Sequence, residues 1–262
     1  GTYVPASGAT VQNSWKGPCP DASLRSMITY SCNTTAAWYA VGLGRDRLAA
    51  AAQAFGFPRL TMTGPADPTA GNSPVTWRAG ASNIGAPKDA PALARTGFGQ
   101  EGVRMTPYQV AYTSAVVASR GQVGDTTLIA GTCSGRKFQP WRSPTGNSLA
   151  TRAAGMGTTP KVLQAALDEV YKGMQGAVTQ GTAQVLDGVM PGHSLAAKTG
   201  TADVQDGIVS WVTVIVDRRL ILTVAVEPTP NRARPVNGQR ALDVAARILP
   251  ILKPTSPSCE QK

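Results

Sequence analysis

The sequence predicts an α+β fold in which an antiparallel sheet is packed by helices. Three observations support this prediction. Apolar residues recur at helical spacing in much of the chain up to about residue 180, the pattern changes near residue 194 to the alternation typical of strands, and an amphipathic helix follows. With 262 residues, of which 42% are hydrophobic, the chain is long enough to bury a substantial core.

The N-terminal part of the chain predicts three helices separated by short turns. A helix capped by Asp21 or Ser23 ends near Tyr30, and a second helix occupies about residues 34–41. A third helix is predicted to begin with Asp46 as its cap.

The middle of the chain predicts helices that alternate with long irregular segments. Residues 58–105 are rich in Pro, Gly, Ala and Asn, and we interpret them as an excursion with short strands. Thr106 and Thr159, each followed by Pro, are predicted to begin helices because Thr caps well and Pro suits the first turn. Residues 122–160 are predicted to be a loop, and residues 181–183 to begin another short helix.

Three strands and a final helix complete the predicted domain. The strands cover Ser194–Thr201, Ile208–Asp217 and Leu220–Glu227, and the last two form a hairpin. The final helix covers Asp243–Leu252. We therefore expect one partial domain over residues 1–252, followed by a polar C-terminal tail over residues 253–262.

Charge and composition favour a basic protein with no nucleic-acid partner. The formal net charge is +10, but Lys and Arg are scattered, and the densest stretch, Arg232–Arg240, holds only three arginines. The lone histidine, His193, has no metal-ligand spacing around it, and C-x-x-C pairs are absent from the sequence, so we expect no metal and no cofactor. No apolar run is long enough to span a membrane.

The four cysteines would suit one or two disulfides in an exported protein. They lie at positions 19, 32, 133 and 259, and the sequence leaves all three full pairings open. Cys19 and Cys32 are close enough in sequence to be the first pairing to consider.

The tetrapeptide Lys198-Thr199-Gly200-Thr201 lies at the end of a predicted strand and has the residue types of a ligand-binding strand. Lysine supplies a cation, threonine supplies a hydroxyl, and glycine lets a ligand approach the strand edge. The amide that follows can face a developing oxyanion. Alone, the three-residue motif Lys-Thr-Gly at the start of this tetrapeptide also occurs by chance.

A second tripeptide, Ser31-Cys32-Asn33, lies between two predicted helices. In a serine acyltransferase, a hydroxyl in this pattern relays a proton and the amide holds the substrate backbone. The alternative is a helix C-cap followed by an N-cap, which Ser and Asn also supply. If Ser31 and Asn33 face a cleft, Cys32 points away from it, into the core or a disulfide.

Around these motifs, which are about 165 residues apart, the chain resembles class B penicillin-binding proteins. LRSMITYSCN at 24–33 resembles the family's helix into its S-x-N turn, and GFGQEGVRMTPYQVAYTSAVVASRG at 97–121 resembles its T-P-x-Q-x-A helix. GMQGAVTQGTAQVL at 173–186 resembles the segment ahead of the K-T-G strand, and AAKTGTADV at 196–204 resembles that strand. The resemblance extends from about residue 2 to 250.

The resemblance implies a β-lactamase/transpeptidase-like fold, which in the family has five antiparallel strands between helical layers and an adjoining all-helical region. It implies cross-linking of peptidoglycan stem peptides by a D,D-transpeptidase whose serine is acylated by a D-Ala-D-Ala donor or by β-lactams. The parent protein would act in the cell wall during growth or division. It would lie at the extracytoplasmic face of the membrane, anchored by an N-terminal segment outside this chain.

The resemblance also implies roles for individual residues. Ser31 would relay a proton, Lys198 would complete the electrostatic cluster, and Asn33 would hydrogen-bond the donor peptide. Thr199 and Thr201 would bind the terminal carboxylate, with the Thr201 amide as half of the oxyanion hole. The expected catalytic residues are Ser31 and Lys198, and the expected substrate-binding residues are Asn33, Thr199, Gly200 and Thr201.

The family's S-x-x-K motif, which holds the nucleophilic serine, is not found ahead of Ser31. The one S-x-x-K present, beginning at Ser134, falls between the other two motifs and has no predicted helix, so we do not assign it. The nucleophile therefore stays unknown, and the family's first strands and central helix are expected to be missing.

Several explanations of the missing motif stay open. The chain is expected to be one fragment of a transpeptidase, with its N-terminal segment lost or present as another chain. An inactive pseudo-transpeptidase that binds or regulates is a second explanation. A serine β-lactamase relative is a rival function on the same scaffold, but it needs a water-activating base, and a solvated loop explains Asp203 and Asp206 better.

Overall fold

The computed structural model describes residues 1–6, 9–66, 73–141, 148–154, 157–205, 207–228, 238–252 and 258–259. It confirms the α+β class, with helices packed on both faces of a three-stranded antiparallel sheet. Most of the predicted tail at 253–262, most of the arginine-containing stretch at 232–240, and Asp206 lie outside the described residues. Within the described residues, no helix is both long and apolar enough to cross a membrane.

Eight α-helices are described, and most begin at a recognisable cap. Ser23, Thr106 and Thr159 each accept a hydrogen bond from a backbone amide of the helix that follows, as the sequence predicts. The helices are α1 (Leu24–Tyr30), α2 (Asn33–Leu43), α3 (Arg45–Ala54), α4 (Ala90–Gly97), α5 (Pro107–Ala118), α6 (Leu149–Ala154), α7 (Pro160–Thr179) and α8 (Arg240–Ile248). Short 3-10 turns follow α7 at Gln184–Leu186 and α8 at Leu249–Ile251.

In the part of the chain that the structure describes, the strands form three two-stranded pairs and one three-stranded sheet, all antiparallel. The pairs are β1 (Thr2–Tyr3) with β2 (Val11–Gln12), β3 (Thr61–Ala66) with β4 (Pro74–Arg78), and β5 (Gly131–Ser134) with β6 (Lys137–Pro140). The main sheet is β7 (Leu195–Val204), β8 (Gly207–Val216) and β9 (Leu220–Val226), in that order. The predicted meander and its hairpin are confirmed.

Three local predictions are wrong. Asp46 lies inside the first turn of α3, and Gly44 is the residue before the helix, so Asp46 does not cap it. The excursion at 58–105 contains α4 as well as the expected short strands. The predicted loop at 122–160 contains the β5–β6 hairpin and helix α6.

The core lies on both faces of the main sheet because side chains of β8 alternate between them. Val212, Val214 and Val216 are buried in one cluster with α8, and Ile215 is buried in a second cluster with α5 and α7. The main sheet therefore lies between two helical layers, and β7 is paired along its length with β8.

A close helix contact positions the first motif. α1 lies directly against α7, and a Cβ built on Gly173 would be 2.7 Å from the Arg25 carbonyl oxygen and 2.9 Å from the Ile28 Cβ. The Thr29 hydroxyl donates to the Gly173 carbonyl at 3.0 Å. The absence of a side chain at Gly173 therefore brings the end of α1, and Ser31 after it, close to the main sheet.

An arginine in the β8–β9 turn connects the sheet to the helical layer. Arg218 donates to the carbonyl oxygens of Val117 and Ala118 at the end of α5, and to Asp168 at 3.0 Å. Its guanidinium also lies 3.6 Å from the ring centroid of Tyr171. Such partly buried, charge-assisted contacts stabilise the fold more than an exposed ion pair does.

Both pairs of cysteines are bonded. Cys19 is joined to Cys32, which confirms the first pairing considered, and Cys133 is joined to Cys259. The second bond joins Cys259 to strand β5 of the β5–β6 hairpin.

Candidate active site

Ser31 ends helix α1 in a left-handed backbone conformation, with φ 56° and ψ 52°. This conformation is uncommon for a residue with a side chain, and it recurs where side-chain direction matters. The turn reverses the chain between α1 and α2 and leaves the Ser31 hydroxyl facing strand β7.

Lys198 brings the two predicted motifs together. Its Nζ donates to the Ser31 Oγ at 2.8 Å and to the Thr199 carbonyl oxygen at 2.6 Å. Burial lowers the pKa of Lys198 to about 8 from an ordinary value of 10.5. Ser31 and Lys198 are therefore in contact in the structure, although 167 residues separate them.

Thr199 has a partner that the sequence did not indicate. Its hydroxyl donates to the hydroxyl of Thr182 at 2.7 Å. Thr182 follows α7, and its amide contacts the Thr29 carbonyl oxygen at 3.4 Å. One residue therefore connects the K-T-G strand to the end of helix α1.

Gly200 and Thr201 continue the same strand. A Cβ at Gly200 would be 3.3 Å from the Trp211 Cβ, so a side chain at position 200 would fit only if Trp211 shifted by a few tenths of an ångström. Thr201 is exposed and pairs with the buried Ser210. Gly238 lies beside Thr201, and the Ser210 hydroxyl donates to the Gly238 carbonyl at 3.0 Å. The segment before α8 thus flanks the strand end.

Asn33 is the first residue of α2, and its amide is occupied in this structure. The Asn33 Nδ2 donates to the Gln12 carbonyl oxygen at 3.2 Å. The described contacts place Ser31 with Lys198, but they place Asn33 beside β2. Its predicted role in binding the donor peptide therefore stays a prediction.

A buried asparagine that the sequence did not single out supports the Ser31 turn. Asn13 is 2% exposed, and its Oδ1 accepts from the Thr34 amide at 3.1 Å, so it caps α2 from 21 residues away. Its Nδ2 donates to the Gly17 carbonyl. Cys32, also 2% exposed, is tied to Cys19 in the same loop. As expected, the central residue of the S-x-N motif is in the protein interior.

The other candidate groups are held in local structure. Ser134 pairs with Lys137 across the β5–β6 turn, so this S-x-x-K has no helix, as expected. His193 Nδ1 lies 2.6 Å from Asp217 Oδ2, and this hydrogen bond lowers the pKa of Asp217. Among the residues that the structure describes, no three His, Cys, Asp or Glu side chains cluster as metal ligands.

The family described as penicillin-binding protein transpeptidase domain matches residues 2–248. This chain belongs to that family. The peptidoglycan D,D-transpeptidase PbpA of Mycolicibacterium smegmatis is 36% identical over 123 residues, which are 46% of this chain and 23% of that protein.

Two solved structures show how the fold compares. A ceftriaxone acyl-enzyme complex of penicillin-binding protein A from Mycobacterium tuberculosis is 26% identical with a TM-score of 0.62, over 92% of this chain and 53% of that one. Penicillin-binding protein PBP2 from Pseudomonas aeruginosa is 23% identical with a TM-score of 0.68, over 95% of this chain and 50% of that one. The chain thus spans about half the length of these relatives, and the β-lactamase/transpeptidase fold is confirmed.

Proposed function

We propose that this chain is the substrate-binding part of a penicillin-binding D,D-transpeptidase, which cross-links peptidoglycan stem peptides through a serine acyl-enzyme. The observation that carries the proposal is the 2.8 Å hydrogen bond from Lys198 to Ser31, which joins the S-x-N and K-T-G motifs. The nucleophilic serine would belong to an upstream S-x-x-K segment, either of the same protein or present as a second chain.

In this proposal, Lys198 supplies the charge that draws in the terminal carboxylate of the D-Ala-D-Ala donor. Its pKa of about 8 leaves most molecules protonated at neutral pH, and burial strengthens the attraction because water screens it less. Thr199 and Thr201 lie on the same face of β7, since side chains alternate along a strand, and they offer hydroxyls to the carboxylate. Gly200 between them allows the ligand to approach the backbone.

Ser31 would move a proton in the acyl-transfer steps. Its hydroxyl accepts a hydrogen bond from Lys198, so it can donate its own proton to the leaving group and recover one from the ammonium. Asn33 would hold the peptide backbone of the donor after exchanging its contact with Gln12. The Thr201 amide, with the amide of the nucleophile, would stabilise the oxyanion.

β-Lactams are expected to acylate the same site, and the ceftriaxone acyl-enzyme of the M. tuberculosis relative supports this expectation. The two disulfides support action outside the cytoplasm, because such bonds persist in oxidising compartments. Anchoring to the membrane, and a role in cell shape or division, are parts of the proposal that depend on the parent protein.

The test is the intact mass of the polypeptide before and after incubation with benzylpenicillin. The chain alone should keep its mass, and addition of a polypeptide that carries the upstream S-x-x-K segment should produce one penicilloyl adduct on that segment. An adduct on a serine within residues 1–262 would show that the nucleophile lies in this chain.

A matched pair of variants tests the role of the K-T-G lysine. Lys198→Met should slow acylation of the two-part enzyme by about 10- to 100-fold, which corresponds to losing one charged hydrogen bond. Lys161→Met, at an exposed position in the first turn of α7, should leave the rate unchanged. No adduct under any of these conditions would favour the inactive pseudo-transpeptidase.

A further inference from the structure

We propose that the Thr182 hydroxyl is an additional donor to the terminal carboxylate of the substrate, so that Thr182 helps to select ligands with a free C-terminal acid. The inference rests on the proposed function, in which Thr199 binds that carboxylate. Thr182 lies outside the S-x-N and K-T-G motifs, between helix α7 and strand β7.

Both sequence neighbours of Thr182 are tightly packed, and their packing sets the direction of the Thr182 side chain. A Cβ at Gly181 would be only 2.1 Å from the Thr29 carbonyl oxygen and 2.8 Å from the Ala177 Cα, so the backbone there lies tightly between α1 and α7. Ala183 is fully buried, and its amide donates to the Ala177 carbonyl at 2.8 Å. Thr182 itself is half-buried, and its hydroxyl meets the hydroxyl of Thr199.

The two hydroxyls together have a hydrogen atom to spare. Thr199 donates to Thr182 in this structure, so one hydroxyl hydrogen lies between the two oxygen atoms. When a carboxylate binds, Thr199 would turn its hydrogen from Thr182 to one carboxylate oxygen, and Thr182 would donate its own hydrogen to the other. Within the described part of the chain, the Thr182 hydroxyl hydrogen has no acceptor. An oxygen of a bound carboxylate would provide one, and charge-assisted bonds of this kind are stronger than bonds between neutral groups.

The charge of the neighbouring residue also indicates an anionic ligand. The Lys198 ammonium is bonded to the Ser31 hydroxyl and the Thr199 carbonyl, and burial is the only cause of its shifted pKa. No carboxylate of the described residues contributes to that shift. A partly buried cation with no carboxylate partner among the described residues is costly, and a ligand carboxylate beside the two hydroxyls would compensate it.

The experiment compares two ligands that differ only in the terminal group, N-acetyl-D-Ala-D-Ala and its C-terminal carboxamide. Each is titrated into the full chain and followed by NMR chemical shifts. The wild-type chain should bind the acid more tightly than the carboxamide. Thr182→Val should bind the acid about tenfold more weakly with little change for the carboxamide, and Thr182→Ser, which keeps a hydroxyl, should recover the preference.

Two further variants separate this inference from the function on which it rests. Thr179→Val is the matched control, since its hydroxyl bonds carbonyl groups of its own helix, and it should bind as wild type does. If Thr199→Val loses the preference for the acid while Thr182→Val keeps it, the Thr182 inference is wrong and the carboxylate site stands. If neither variant changes the preference for the acid, or if the wild-type chain has no such preference, the Thr182 inference and the proposed carboxylate site are both wrong.

A purely structural role of Thr182 gives a different result. If Thr182 only braces α1 against β7, Thr182→Val weakens both ligands equally, and Thr182→Ser does not restore selective binding of the acid. That outcome would also overturn the inference, and the melting temperature of each variant identifies a loss that comes from unfolding.

Discussion

Gly173 offers the sharpest test of how helix α1 is held in place. In Gly173→Ala, the new methyl group would be 2.7 Å from the Arg25 carbonyl oxygen and 2.9 Å from the Ile28 Cβ. Both atoms belong to the main chain or its first side-chain carbon, so neither can rotate away. Ordinary contact therefore requires α1 to move by a few tenths of an ångström or more, and the Ser31 turn would move with it.

The expected change in the free energy of unfolding combines two opposing effects. Alanine favours the helical conformation over glycine by about 1 kcal/mol. Overpacking against a fixed backbone costs about 1–3 kcal/mol, and occasionally more. The hydrogen bond from Thr29 to the Gly173 carbonyl is also strained when the helices separate. We expect a net loss of about 1–2 kcal/mol.

The assay is urea-induced unfolding followed by circular dichroism. The dependence of the free energy of unfolding on urea concentration is compared between variants to check that they unfold in the same way. Gly42→Ala is the matched control, because Gly42 also lies in a helix and has no atom within 4 Å of the new methyl group. It should raise the free energy of unfolding by about 0.5–1 kcal/mol. A Gly173→Ala protein as stable as Gly42→Ala would refute the close contact between α1 and α7.

Three other predictions concern charge and cross-links. The pKa of Lys198 is lower in the folded chain than in the unfolded one, so the unfolded chain binds more protons between pH 8 and 10.5. As the pH rises across that range, the free energy of unfolding of the wild-type chain should therefore increase relative to that of Lys198→Met by about 1–3 kcal/mol, as measured by chemical unfolding at several pH values. If both proteins change equally in stability with pH, the burial of the Lys198 ammonium is contradicted. Arg218→Ala should cost about 1–3 kcal/mol, while Arg219→Ala, exposed in the same turn, should stay within about 0.5 kcal/mol, as measured by urea unfolding. Replacing Cys133 and Cys259 by Ser should lower the free energy of unfolding by up to about 5 kcal/mol, because the bond closes a loop of 126 residues, and unchanged thermal unfolding would argue against that pairing.

Local signals in the sequence predict the elements whose contacts are themselves local. The hydrogen bonds that cap α5 and α7 join residues three apart, so Thr106 and Thr159 reveal both helices. Helix α4 has a similar signal in Asp89, which accepts from the Ala92 amide, but it has only eight residues among Pro- and Gly-rich neighbours. A short helix of this kind is stabilised by packing, which a periodicity analysis does not detect.

The residues of the candidate site also differ in whether a local pattern in the sequence reveals them. Ser31 and Lys198 belong to motifs and could be named from the sequence, although only the fold shows that they touch. Thr182 was visible only as the start of a short helix, since its contact with Thr199 depends on how α7 lies against β7. Asn13 gave no signal, because a cap supplied from 21 residues away has no local pattern.

The Cys19–Cys32 bond affects the order in which the site can be assembled. The bond spans only 13 residues, whereas the contact between Ser31 and Lys198 spans 167, and closing the longer loop costs about 2 kcal/mol more in chain entropy. The serine turn can therefore form and be locked soon after its cysteines are oxidised. Strand β7, which comes late in the chain, then meets a turn whose shape is already set.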